Sequence, residues 1–413
     1  MQFLWNRSTF CIFLMVILQS FCTLKLLWLN SLSAQTSTEI FNLRNGTAFV
    51  CAWAIGTFFS RITGAYTLGK YAENKGFIAT QKILISGYIL TTALFFLSCL
   101  FADQFHLAKL LMLVISYLNL FLGSAALVLP TMYLMNIYKT SDHVNISRLM
   151  IFGSGLGYVL AYAVFAKCNL QIMSGIIFGC SLLCGYIFYC AKKGIINLEK
   201  SQTPEEQNSP QIAPNHVAKL LAVLIGGVCG AGLSHNYFFI EPYVLNVSII
   251  NARNFQMGYI FFYIALGLFM ILASRICDYV NWSKLIFLSL IGILLVIFSF
   301  SVYDFSKDNI YLIYQVLFAF FFAGFLAPSL ALIFSLFKDN QPFFNGIFWY
   351  SSGISISYLI GYFLSKDLMG IFHHYFLVVS PLVFNAVLCL ALMFAVKLSI
   401  VSTHSKASNR DAT

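Results

Sequence analysis

The chain has 413 residues, 60% of them hydrophobic and only 9% charged, with a mean hydropathy of +0.84. Soluble domains carry about 25% charged residues, so this composition excludes a soluble globular protein and points to a chain that crosses a membrane many times. The net charge of +10 would suit nucleic acid, but its distribution follows a membrane topology instead, and no nucleic-acid partner is expected.

At about 20 residues per span plus short loops, the length accommodates about twelve helices. Apolar runs between polar breaks place the spans near 9–30, 47–68, 82–101, 110–136, 149–166, 171–191, 218–240, 256–273, 284–302, 310–336, 343–364 and 374–397. The first 34 residues, with Arg7, an apolar run and Ser31-Leu32-Ser33-Ala34, have the outline of a secretory signal. The run exceeds a typical signal core, and its loss would leave an odd number of spans, so it is read as the first span. With the N-terminus inside, sixteen Lys and Arg fall on the cytoplasmic side, seven outside, and Arg61 within a span. The positive-inside rule then puts both termini in the cytoplasm of a cell inner membrane. Eleven cysteines show no CxxC and no metal spacing. They read as small buried hydrophobes, with no metal and no cofactor expected.

Asn197–His216 is polar and proline-rich, with Pro204, Pro210 and Pro214, and reads as a flexible connector. The expected organisation is a six-helix bundle over 1–196, a cytoplasmic linker over 197–217, a second six-helix bundle over 218–397 and a cytoplasmic tail over 398–413. A repeated motif supports two related halves. Gly69-Lys70-Tyr71-Ala72-Glu73-Asn74-Lys75-Gly76 returns as Ser274-Arg275-Ile276-Cys277-Asp278-Tyr279-Val280-Asn281, at a constant offset of 205 residues. Each copy sets a small residue, an acid and a turn former between two apolar runs. A tight helix-to-helix turn needs such punctuation, and the acid is suited to cap the following helix.

Six spans on either side of a cytoplasmic loop, with matched turns after the second and eighth, resemble the major facilitator superfamily. Its loop pattern reads G-x-x-x-D-R-x-G-R-K. Gly69, Glu73 and Gly76 match it, and Asn74 departs from it. Upstream, Arg61-Ile62-Thr63-Gly64 resembles the R-P-x-G of the metabolite:proton symporter branch, which includes proline/betaine, α-ketoglutarate, citrate and shikimate carriers. Other landmarks differ. Asn119 stands where the superfamily has an Arg four residues before a Gly, here Gly123, and Gln19 and Cys22 replace the acidic pair of the first span. The resemblance implies an all-α membrane protein of twelve transmembrane helices in two six-helix pseudo-symmetric halves.

Ionisable groups at membrane depth default to functional hypotheses. Arg61 cannot deprotonate, so it needs an anion, carbonyls or water: a substrate carboxylate on one reading, a structural or gating contact on the other. The seventh span ends in Ser234-His235-Asn236-Tyr237 and reaches Glu241 after a run containing Gly226, Gly227, Gly230 and Gly232. His235 and Glu241 are candidate proton carriers, or a structural histidine and a solvated interfacial acid. Lys25 is read as snorkelling outward. Gln19, Asn119, Tyr133, Tyr263, Trp349, Tyr350 and Ser352 are further candidates for a solute pathway, and Trp349 with Tyr350 could offer a cation–π face. Gly69, Glu73, Gly76, Arg275 and Asp278 are the expected gating loops. Gly153-Ser154-Gly155-Leu156-Gly157 reads as a packing stripe. No proline follows it as in exporters, and no fixed base makes Ser154 a nucleophile. The chain is therefore not expected to be an enzyme. The reading is a secondary transporter of a small polar metabolite (amino acid, betaine-type osmolyte or organic acid), proton-coupled and importing. It would be monomeric, with the lipid bilayer as its surroundings. The alternatives are an exporter of metabolites or drugs, or a non-transporting sensor-like paralogue.

Overall fold

Where water is absent, every backbone N–H and C=O must find a partner within the chain, and an α-helix achieves this segment by segment. The computed structural model describes residues 6–23, 47–101, 106–126, 128–138, 142–165, 170–200, 215–235, 252–277, 279–301, 308–337, 345–371 and 380–408. Helices α1 (Arg7–Thr23), α2 (Thr47–Leu100), α3 (His106–Gly123), α4 (Val128–Ile137), α5 (His143–Phe165) and α6 (Leu170–Lys200) come before residues 201–214. After them come α7 (Asn215–His235), α8 (Ala252–Cys277), α9 (Trp282–Ser301), α10 (Asp308–Phe337), α11 (Asn345–Ile371) and α12 (Pro381–Ser408). Every predicted apolar run thus carries helix, and helix also extends into both ends of the expected 197–217 linker and into the expected tail. Lys25 lies outside the described residues.

Among the described residues, five stretches are long and apolar enough to cross a membrane: Ile55–Leu100, Val114–Ile137, Gln171–Asn197, Trp282–Ser301 and Ile310–Ile333. Their outer faces are apolar too. Leu288 and Leu295, seven residues apart on one face of α9, are 59% and 60% exposed, a surface that suits lipid. The chain is a multi-pass membrane protein.

At 54 residues, α2 would run about 80 Å if straight, far more than a ~30 Å hydrocarbon core. It turns at Gly76, whose φ of 81° and ψ of 171° are open essentially to glycine alone. Gly64 and Gly87, at nearly equal distances on either side, both lie against α3: a Cβ on Gly64 would strike the Phe121 carbonyl, and one on Gly87 would strike Leu122. The two arms of α2 therefore fold back as a hairpin. The matching break leaves α8 at Cys277 and starts α9 at Trp282. There Asn281, the counterpart of Gly76, accepts the Ser283 N–H on its Oδ1 at 3.0 Å. The cap at this break is thus an amide side chain. Glu73 is exposed and sits in the last turn before Gly76, at the end of one arm and not at the start of the next, and Asp278 lies outside the described residues.

Between lipid-embedded helices there is little hydrophobic gain, so association rests on close packing of small residues. The predicted glycine run does this on α7. A Cβ on Gly226 would collide with the backbone of Tyr350, and one on Gly230 with that of Ile354, both on α11. From the other side, a Cβ on Gly353 would strike the Val223 carbonyl. Gly157 holds α5 against the Ile17 carbonyl of α1 in the same manner. Ser154, in that stripe, accepts a hydrogen bond from Ser20 at 2.9 Å, a packing contact. Gly87 and Gly292, also 205 residues apart, each lie against a large side chain of the following helix, Leu122 on α3 and Phe321 on α10. Helices before and after residues 201–214 meet mainly along α2–α11, α5–α8 and α5–α10.

Candidate functional site

The predicted fourth span, 110–136, is not one helix. It breaks after Gly123 into a turn, where the Ser124 N–H still reaches the Leu120 carbonyl at 3.0 Å and the Ala126 N–H reaches that of Gly123 at 3.2 Å. Pro130, just inside α4, brings no N–H to the second segment. A broken helix frees backbone groups that other chain segments must satisfy. One is answered from α11: Ser351 donates its hydroxyl to the Ser124 carbonyl at 3.3 Å. Pro328, 198 residues after Pro130, lies within α10, which continues through it as one helix.

Arg61 borders this break. It is one turn before Gly64, whose α-carbon lies against the Phe121 carbonyl and the Ser124 hydroxyl. It is also about 22 Å along the helix from the Gly76 turn, deep within a ~30 Å core. The Arg61 guanidinium carbon stands 5.7 Å from the centre of the Tyr358 ring on α11. Among the described residues it pairs with no carboxylate, and its side chain stays partly exposed. A cation over a ring is worth about 0.5–2 kcal/mol, well short of what a guanidinium gains from a carboxylate in a bidentate pair. Asn119, on α3, is buried and donates from Nδ2 to Thr91 on the hairpin's far arm at 2.8 Å. The structure thus gathers Arg61, the break after Gly123, Ser351 and Tyr358 around the α2–α11 contact, with Asn119 one turn before the break.

The other predicted residues lie elsewhere. Gln19 is buried beside Cys184 of α6. His235 is 1% exposed at the end of α7, with Nε2 2.9 Å from the Tyr314 hydroxyl and its ring 5.7 Å from that of Phe318. It heads a buried column on α10, where Tyr314, Phe318 and Phe322 stack at 5.8 and 5.5 Å. Tyr263 is buried edge-on against Phe262. Trp349 and Tyr350 do not form one aromatic face. The Trp349 ring takes this chain's own Lys219 at 5.8 Å, whereas Tyr350 lies beside Cys229 of α7. Tyr133 stacks on Phe77 at 3.9 Å, and Ser352 donates within its own helix to the Phe348 carbonyl. Gly69 is buried, whereas Glu73 and Arg275 are exposed. Asn236, Tyr237, Glu241 and Asp278 lie outside the described residues. Arg148, counted by charge balance among the cytoplasmic cations, is buried at 8% exposure.

No protein-family model matches the chain, and no curated protein matches its sequence. Solved structures do match. The human organic anion transporter MFSD10 (TETRAN) superposes with a TM-score of 0.68 at 12% identity, over 94% of this chain and 99% of that one. The proton:xylose symporter XylE, bound to 6-bromo-6-deoxy-D-glucose, does so with a TM-score of 0.65 at 12% identity, over 96% and 95%. The fold is that of the major facilitator superfamily. At such identity the likeness concerns architecture, and it extends over nearly the whole chain. Within the major facilitator fold, the hairpin at Gly76 and its partner at Asn281 are the turns that the sequence pattern had singled out.

Proposed function

We propose that the chain is a secondary transporter that carries a small organic solute bearing a carboxylate by alternating access, with proton-coupled import, as in the metabolite:proton symporter branch. The scaffold is two six-helix halves, 1–196 and 218–397, with both termini cytoplasmic in an inner membrane. The observation that carries the solute class is Arg61. This permanent cation sits deep in α2, meets a tyrosine ring and no described carboxylate, and stands beside a break in the neighbouring helix. Discontinuous helices near the bilayer midplane are where secondary transporters build their binding sites. The organic anion transporter among the structural neighbours adds support for an anionic cargo, and the symporter for proton coupling.

The α2–α11 contact then works as one element of the rocking motion. A carboxylate is a stronger partner for a guanidinium than a ring, so solute arriving at Arg61 displaces Tyr358 and loosens this contact between the halves. Carboxylates are scarce at depth in this sequence, which leaves His235 and Glu241 as proton carriers.

The test is uptake into proteoliposomes of labelled proline, betaine, glutamate and α-ketoglutarate, with and without an inward proton gradient, for wild type and Arg61→Ala. Gradient-stimulated uptake of a carboxylate solute, lost in the variant, is the expected result. Equal and gradient-insensitive traces across the whole panel would refute the reading for these solutes.

A further inference from the structure

We propose that the exposed face where the first turn of α1 meets the last turns of α6 holds an anionic phospholipid, its headgroup at Arg7 and Lys193. Three sets of observations meet there.

The first is register. The two helices run antiparallel in close contact: a Cβ on Gly194 would sit 2.5 Å from the Ser8 hydroxyl, Cys11 lies within electrostatic reach of Cys190, and Cys22 bonds to the Ile177 carbonyl. The start of α1 and the end of α6 therefore lie at one membrane face, with Arg7 and Lys193 flanking the Ser8–Gly194 contact. Both are exposed, as is Lys192.

The second is the order of side chains along α6. Tyr186, Tyr189, Cys190 and Lys193 follow the i, i+3, i+4, i+7 spacing of a single helical face, and all four are exposed. Leu182 and Leu183 continue that exposed face inward. From Leu182 to Lys193 is about 16 Å of helix, roughly half of a ~30 Å hydrocarbon core. Leucines at acyl depth, tyrosines at the interface and a lysine beyond them match a phospholipid from tail to headgroup.

The third is charge. Residues 1–6 contain no acid, and the nearest acid beyond Lys193 is Glu199, about 9 Å further along the helix. The N-terminus of α1, capped through the Asn6 side chain on the Ser8 N–H at 2.9 Å, adds its positive end at the same place. The hairpin lysines Lys70, Lys75 and Lys82 are equally exposed but share their rim with exposed Glu73.

Native mass spectrometry of the purified chain in detergent, titrated with phosphatidylglycerol or phosphatidylcholine, tests this. Wild type is expected to retain phosphatidylglycerol preferentially. Losing three interfacial cations costs roughly 100-fold in affinity, so Arg7→Gln/Lys192→Gln/Lys193→Gln should abolish the preference. Lys70→Gln/Lys75→Gln/Lys82→Gln removes the same charge from the hairpin and should keep it. Equal loss in both variants would reduce the effect to bulk charge and overturn the proposal. So would displacement of the lipid by inorganic phosphate, which would make this a site for free anions. A wild type without any phosphatidylglycerol preference overturns it whatever the variants do.

Discussion

The α7–α11 seam offers the most exposed test of how this chain is held together. A methyl group added at Gly226 would be driven into the Tyr350 backbone, 2.9 Å from its carbonyl carbon and 3.1 Å from its Cα. Backbone cannot rotate away as a side chain can, and Gly230 and Gly353 lock the same seam against Ile354 and Val223. The helices must therefore part by a few tenths of an ångström to about 1 Å, which forfeits a quarter to a half of the dispersion attraction across the contact. Overpacking of this kind costs about 1–3 kcal/mol, offset by up to about 1 kcal/mol from replacing glycine by a better helix former. Gly226→Ala should therefore destabilise by about 1–2 kcal/mol, and Gly226→Leu by more. Gly179 is the control: it is exposed on α6, with nothing within 4 Å of an added Cβ. Gly179→Ala should leave stability unchanged or raise it by up to about 1 kcal/mol. Thermal melts of the detergent-solubilised protein measure both. If Gly226→Ala melts at or above wild type while Gly179→Ala falls below it, packing at the seam is not what these glycines provide.

Further outcomes follow from single sites. Gly76→Ala meets no neighbour within 4 Å but forces an L-residue into a glycine conformation, so it should cost about 1–3 kcal/mol, read in the same melts. Asn281→Ala removes the cap on Ser283 and should cost about 0.5–2 kcal/mol, with Asn281→Asp restoring most of it. Tyr314→Phe deletes the hydroxyl that meets His235 and should lower stability by about 1 kcal/mol. If the melting temperature instead rises, that contact is not a stabilising hydrogen bond. Arg61→Lys keeps the charge but loses the planar fork, so uptake of a carboxylate solute should fall below wild type and stay above Arg61→Ala, with little change in melting temperature.

The turns were legible in the sequence because they need particular chemistry. Gly76 is required by its backbone angles, and the 205-residue echo at Asn281 identified a second turn of the same kind. The glycine run of α7 was legible for the same reason, since close helix contact admits only small residues. What was hidden is what depends on the partner. Composition alone could not show that Trp349 faces Lys219 or that Gln19 turns to Cys184, because each is settled by helix rotation and not by residue type. The break after Gly123 was masked by hydropathy, as Leu120 to Met135 reads as one apolar run. Pro130, preceded by a glycine and a serine, was the available signal.

That break and Arg61 make physical sense only together. An isolated Arg at this depth is costly, and so is a turn in which N–H and C=O groups lose their helical partners. The two lie close together and each is met from the same helix: the Ser124 carbonyl accepts the Ser351 hydroxyl, and the Arg61 guanidinium stands over the Tyr358 ring. Ser351 and Tyr358 come from α11, so both groups are partly satisfied by a helix on the far side of residues 201–214. Movement of α11 away from α2 would withdraw both partners at once, leaving a cation and an open backbone facing the same space. On the proposed reading, an anionic solute would fill this space, and its binding would weigh against the return of α11 until the solute leaves.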